Sequence, residues 1–76
     1  MKIGFETAKK IARDVNNKVD HCTETKDAYI FIAEEDRFSF NDAQVVVLKN
    51  NGDVVNFLWY MEEMHGSVDP INEFDF

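Results

Sequence analysis

The sequence predicts an α+β domain: an N-terminal helix packed on an antiparallel sheet of three or four strands, closed by a short second helix and followed by an acidic tail. Three observations carry this reading. Apolar residues recur at spacings of three and four from Phe5 to Val19, two runs rich in β-branched and aromatic residues follow, and Asn51-Gly52 stands between the second run and its return. A chain of 76 residues with three glycines and one proline has material for one core and little that resembles a linker. Residues 1–76 therefore read as a single domain, with 67–76 as its acidic, aromatic tail.

The elements follow in order. Phe5, Ala8, Ile11, Ala12, Val15 and Val19 share one helical face, with Lys9, Lys10, Arg13 and Asn17 opposite. Gly4 can cap this helix, Glu6 suits its first turn, and fraying is expected around Asn16-Asn17. "DHCTETKD" (20–27) is polar and reads as a connector. "AYIFIAEE" (28–35) is apolar on both parities, as a well-covered strand is, and "RFSF" (37–40) alternates as a short edge strand would.

In "VVVLKNNGDVVNF" (45–57) the Asn-Gly pair signals a two-residue hairpin turn. That turn would set Leu48 opposite Val55 and Val46 opposite Phe57. Val46, Leu48, Val55 and Phe57 then form a wholly apolar face, expected to pack on the first helix. Asn56 is a good N-cap and Gly66 a good stop, so a second helix is expected from about Phe57 to His65, buried through Phe57, Met61 and Met64. Its aromatic cluster should be mostly core. The tail "SVDPINEFDF" reads as a peptide laid along the body or projecting from it.

Composition limits the function classes. Cys22 is the single cysteine and cannot form an internal disulfide, which favours a reducing compartment and a cytoplasmic protein. "MKIGFETAKK" has no apolar run of signal-peptide length, and no stretch approaches the roughly 20 residues of a membrane span. Net charge is −7, unevenly placed: residues 1–18 carry five basic side chains against two acidic, and residues 19–76 carry three against thirteen. From Asn50 onward there is no lysine or arginine. Such a surface repels nucleic acid and anionic lipid, which are bound chiefly through their phosphates, so neither direct nucleic-acid nor membrane binding is expected. A basic protein partner fits better.

Residues with possible chemistry are few. His21 and Cys22 invite a thiol–imidazole reading, but sequence neighbours rarely face each other productively, and a loop histidine beside a half-buried thiol is the simpler account. His21, Cys22 and His65 lack the spacing of a zinc site, and "EED" (34–36) and "FND" (40–42) lack the alternating oxygens and central glycine of a calcium loop. Glu62 and Glu63 point about 100° apart on a helix, unlike a catalytic carboxylate pair. Lys9, Lys10 and Arg13 have no interleaved aromatic for base stacking and read as a solvated face. No cofactor, metal ligand or catalytic residue is implied, and the expectation is a protein that is not an enzyme.

The run "AQVVVLKNNGDVVNF" (43–57), preceded by "ETAKKIARDV" and "DAYIFI", resembles the pattern of small bacterial immunity proteins from polymorphic toxin systems, with Gln44 where that pattern has a proline. The resemblance implies a non-catalytic protein that binds and blocks one cognate toxin, and it carries over no functional residues. Together these readings point to an inhibitor of immunity or phage anti-defence type, presenting carboxylates to a basic site on a toxin or a nucleic-acid-handling enzyme. One variant is a nucleic-acid mimic such as an anti-CRISPR. The expected contact comprises Glu34, Glu35, Asp36, Asp42, Asp53, Glu62, Glu63, Asp69, Glu73 and Asp75, with Phe74 and Phe76 as apolar anchors. The alternative is a structural or housekeeping domain whose acidity serves only solubility.

Overall fold

In the computed structural model, which describes residues 2–33 and 44–76, helix α1 (Phe5–Val15) starts from Gly4 in extended conformation, with Glu6 in its first turn and Arg13 in its last. It stops earlier than the periodicity suggests. Asn16 is its C-cap, its side-chain oxygen accepts the Lys18 N–H at 3.0 Å, and Val15 is left exposed. Val19 still reaches the core, from beyond this turn.

Among the described residues, strands β1 (His21–Glu24), β2 (Ala28–Ile32), β3 (Val45–Leu48), β4 (Val54–Val55) and β5 (Asn72–Asp75) form one antiparallel sheet in the order β4-β3-β2-β1-β5. Helix α2 (Phe57–Glu62) lies between β4 and β5 in sequence. The fold is α+β as expected, with more strands than the sequence suggested. The expected edge strand at 37–40 lies outside the described residues.

One strand corrects the reading of its segment, and another decides between the two readings of the tail. β1 runs through the supposed connector, with Cys22 opposite Phe31 on one side and Phe74 on the other. Its polar residues are tolerated because they alternate outward to polar partners, while Cys22 enters the core. The tail becomes β5, whose register is Cys22↔Phe74 and Thr23↔Glu73. It is tied at both ends, by Ile71 N–H to Glu24 O at 2.8 Å and Phe76 N–H to Asp20 O at 2.9 Å.

The core has two parts, one on each side of the sheet. On one face Ala8 and Ala12 of α1, both fully buried, bring the helix down onto Tyr29, Phe31, Val45 and Val47, with Phe5, Phe74 and Phe76 along the margin. On the other, Tyr60 of α2 covers Ala28, Val46 and Leu48, joined by Val55 and Phe57. The expected face composition is therefore right and its helix wrong. Only Asn56 separates β4 from α2, too little chain to carry α2 around the sheet edge, so α2 covers the face to which Phe57 belongs. α1 takes the other.

The hairpin is also wider than Asn-Gly suggests. Val46 pairs with Val55 and Val47 with Val54, a shift of two residues that preserves each side chain's face. Lys49 explains the shift: its N–H donates to Asp27 O at 3.0 Å, and its carbonyl accepts from Ile3 N–H at 2.8 Å. With both backbone groups engaged elsewhere, Lys49 cannot pair with Val54, and the loop opens to Lys49–Gly52. Gly52, at φ +78°, supplies the left-handed residue, and an added Cβ there would press on Ile11.

α2 is capped as predicted, Asn56 Oδ1 accepting the Trp59 N–H at 2.7 Å. Its buried stripe is Phe57, Tyr60 and Met64 rather than Phe57, Met61 and Met64. The Tyr60 hydroxyl donates to Ser67 O at 2.6 Å and lies 3.1 Å from Thr25 Oγ1. The left-handed residue after the helix is His65 (φ 53°), not Gly66; Gly66 is instead pressed against the Tyr60 ring. Among the described residues no helix is long and apolar enough to cross a membrane.

Candidate functional site

Adjacent residues of a strand face opposite ways, so Cys22 lies in the core beneath α1 while His21 points to the other side of the sheet. They form no thiol–imidazole pair. Burial, and then the Glu24 carboxylate, push the Cys22 thiol up to about 12, and burial also raises the phenols of Tyr29 and Tyr60. The folded chain thus keeps protons that the unfolded chain releases earlier. Stability should be intact below the ordinary cysteine value of about 8.5 and fall as pH rises from there. Thermal midpoints measured from pH 7 to 11 should decline across that range, and less steeply in Cys22→Ala; an equally steep decline in the variant would show that the thiol plays no part.

The acids divide into two groups. Glu24, Glu73 and Asp75 have internal partners, contrary to the expectation of unneutralised carboxylates. Glu24 Oε2 lies 2.6 Å from Lys49 Nζ and its Oε1 accepts from Asn72 Nδ2 at 3.1 Å. The Lys49 hydrogen bond, then that of Asn72, hold the Glu24 carboxyl below its usual range. His21 Nδ1 lies 2.6 Å from Asp75 Oδ1 and its Nε2 3.3 Å from Glu73 Oε1. These two nitrogens point away from each other, so the three groups do not converge on one ion. Among the described residues no cluster of His, Cys, Asp and Glu is arranged to hold a metal.

Phe74 and Phe76 are also occupied within the fold. Phe74 stacks on Phe5 with centroids 4.1 Å apart, and Phe76 meets Phe5 and Phe31 edge-on. Lys9 Nζ and the Arg13 guanidinium sit 4.8 and 5.0 Å from the Phe76 ring centre, within cation–π range. Two of the three cations on the supposed solvated face of α1 thus cover this ring. The expected anchors belong to the body of the protein, and the tail is not a projecting arm.

Asp53, Glu62, Glu63 and Asp69 form the second group. All are exposed, and among the described residues their carboxylates make no hydrogen bond or ion pair. Glu34, Glu35, Asp36 and Asp42 lie outside the described residues. Around Glu62 and Glu63 sits a feature the sequence reading missed. Leu58, Trp59 and Met61 are 52%, 44% and 42% exposed, although they belong to a cluster expected to be core. Leu58 and Glu62, like Trp59 and Glu63, are one turn apart, so each acid stands beside an exposed apolar side chain. A helix of six residues buries one stripe and leaves the rest to solvent; a helical wheel phased on Tyr60 would have revealed this.

Beside α2, the second face of the sheet opens into a cleft of about 250 Å³ lined by Thr23, Ile30, Ile32, Gln44, Phe57 and Val68. Thr23 Oγ1 donates to Glu73 Oε1 at 3.4 Å, which places a carboxylate at the cleft's margin. The Gln44 amide oxygen is buried without a hydrogen-bond partner. In comparisons with known proteins, the chain matches no family model, no curated protein and no solved structure.

Proposed function

We propose that this protein is a non-enzymatic, cytoplasmic binding module that inhibits a partner by presenting an acidic surface to a basic site on it, as an immunity protein or a phage-encoded anti-defence inhibitor does. A nuclease or another nucleic-acid-handling enzyme would offer such a site, and the carboxylates would then stand in for phosphates. The observation that carries the reading is the outer side of α2. Leu58, Trp59 and Met61 are exposed there beside Glu62 and Glu63, in a stretch from Asn50 to Phe76 without lysine or arginine. An exposed tryptophan rimmed by unpaired acids has the composition of an interface: an aromatic anchor supplies affinity, and charge steers the encounter.

The contact proposed is narrower than the full set of acids. Glu62, Glu63, Asp53 and Asp69 remain candidates, while Glu73 and Asp75 are engaged by His21 and Phe74 and Phe76 by the aromatic cluster. The test is capture from native lysate with the tagged chain, at low and high salt, beside the variants Trp59→Ala and Glu62→Lys/Glu63→Lys. A stoichiometric partner should be retained at low salt and released at high salt. Trp59→Ala should weaken the complex by about 2 kcal/mol, roughly 30-fold, and the charge reversal should abolish the salt-sensitive part, both with unchanged melting. Equal capture by all three proteins, or no partner at either salt, favours a domain whose acidity serves only solubility.

A further inference from the structure

We propose that the cleft beside α2 receives a single lysine or arginine side chain from the basic partner, an assignment that rests on the acidic-surface reading and gives it an anchor point. At about 250 Å³ the cleft falls below the roughly 300–1,000 Å³ of small-molecule pockets and suits one long side chain. Its walls combine two chemistries. Ile30, Ile32, Phe57 and Val68 offer apolar surface to a methylene stem, and Thr23 and Gln44 are the polar residues of the lining. Gln44 Oε1 has no partner, and the Thr23 hydroxyl is directed to the Glu73 carboxylate at the margin, whose same oxygen lies 3.3 Å from His21 Nε2, so a cationic guest would compete with His21 for it.

A guest that satisfies Gln44 Oε1 must bring a donor, and one whose head reaches the Glu73 margin gains from carrying positive charge. Lysine and arginine carry several N–H donors and no acceptor, on stems that lie along apolar walls while the charged head stays at the polar end. The terminal torsion of a glutamine is soft, so the Gln44 amide can turn its oxygen to an entering donor. An aliphatic guest would leave Gln44 unsatisfied, and an acidic one would meet Glu73. No lysine or arginine follows Lys49 in the sequence, so the whole segment from the β3–β4 loop through α2 to β5, which supplies Phe57, Val68 and Glu73, contributes no competing cation.

The test is an NMR titration of the full chain with Nα-acetyl-arginine amide and Nα-acetyl-lysine amide, with Nα-acetyl-norleucine amide as the uncharged control. Saturable shifts are expected at Thr23, Ile30, Ile32, Gln44, Phe57 and Val68 with either cation, at least fivefold weaker in Gln44→Leu and absent in Ile32→Trp. Gln44→Leu removes an unsatisfied oxygen and should fold at least as well as the parent, which keeps the comparison valid if Ile32→Trp misfolds. An equal response to the norleucine amide, or no response at these residues, overturns the assignment. Failure of the titration while Glu62→Lys/Glu63→Lys still loses a captured partner removes the cleft and leaves the acidic surface. Saturable cation binding with no captured partner removes the acidic surface and leaves the cleft's preference for a cation.

Discussion

Phe31→Ala is expected to cost about 4 kcal/mol, the usual range for deleting a buried phenylalanine. Phe31 is fully buried on β2, the middle strand of the sheet, opposite Cys22 and Val45. It packs against Phe5 and Phe76 and beneath the alanines of α1. A domain of 76 residues has a total stability of about 4–11 kcal/mol, so this one substitution removes a large share of it. Urea unfolding followed by circular dichroism should show the midpoint falling by about a third or more, or a chain already partly unfolded in buffer. A midpoint within a tenth of the parent would mean that the α1 side of the sheet does not hold the fold together.

Gly66→Ala should be nearly as damaging, for a different reason. A Cβ at Gly66 would overlap Cε1 and Cζ of the Tyr60 ring, at separations that real atoms do not adopt. The ring cannot retreat, because it is fully buried and its hydroxyl is held by Ser67 and Thr25. Overpacking of this kind costs about 3 kcal/mol. Removing the ring should relieve it: Gly66→Ala should cost less than about 1 kcal/mol when introduced into Tyr60→Leu, a coupling that a double-mutant cycle measures directly. Strictly additive losses would place the strain somewhere other than the Gly66–Tyr60 contact.

The parts of the fold legible in the sequence are those determined by near neighbours. α1 shows in its apolar spacing, β2 and β3 in their β-branched and aromatic residues, and the start of α2 in Asn56, whose side chain caps a helix from three residues away. The parts that were not legible depend on distant groups. β1 looks like a connector because His21 and Thr23 are polar, and their partners Glu73 and Asp75 lie some fifty residues on. The hairpin register is altered by Ile3 and Asp27, which engage Lys49. β3 is apolar on both faces, so periodicity cannot say which helix covers which; the short link at Asn56 decides it.

The same division runs through the candidate site. That Glu62 falls in the last turn of a helix followed from the capping residue Asn56, but the helix ends at Glu62, with Glu63 as its C-cap, three residues short of the expected His65. The exposure of Trp59 did not follow, because in so short a helix the phase is set by which aromatic the sheet accepts, and it accepts Tyr60. Phe74 and Phe76 looked like free anchors because nothing near them in sequence could cover a ring. Their cover is Phe5, Lys9 and Arg13, at the opposite end of the sequence.

The pairing of β1 with both β2 and β5 bears on the order of assembly. Only Thr25 to Asp27 separate β1 from β2, whereas 47 residues separate it from β5. The longer loop is about four doublings of the shorter, and at roughly 0.6 kcal/mol per doubling it closes at an added entropic cost of about 2.4 kcal/mol. The β1–β2 ladder therefore forms early at little expense, and the outer strand zips on after the rest. Until it arrives, the side of the Phe5 ring that stacks on Phe74 stays open on a half-made protein.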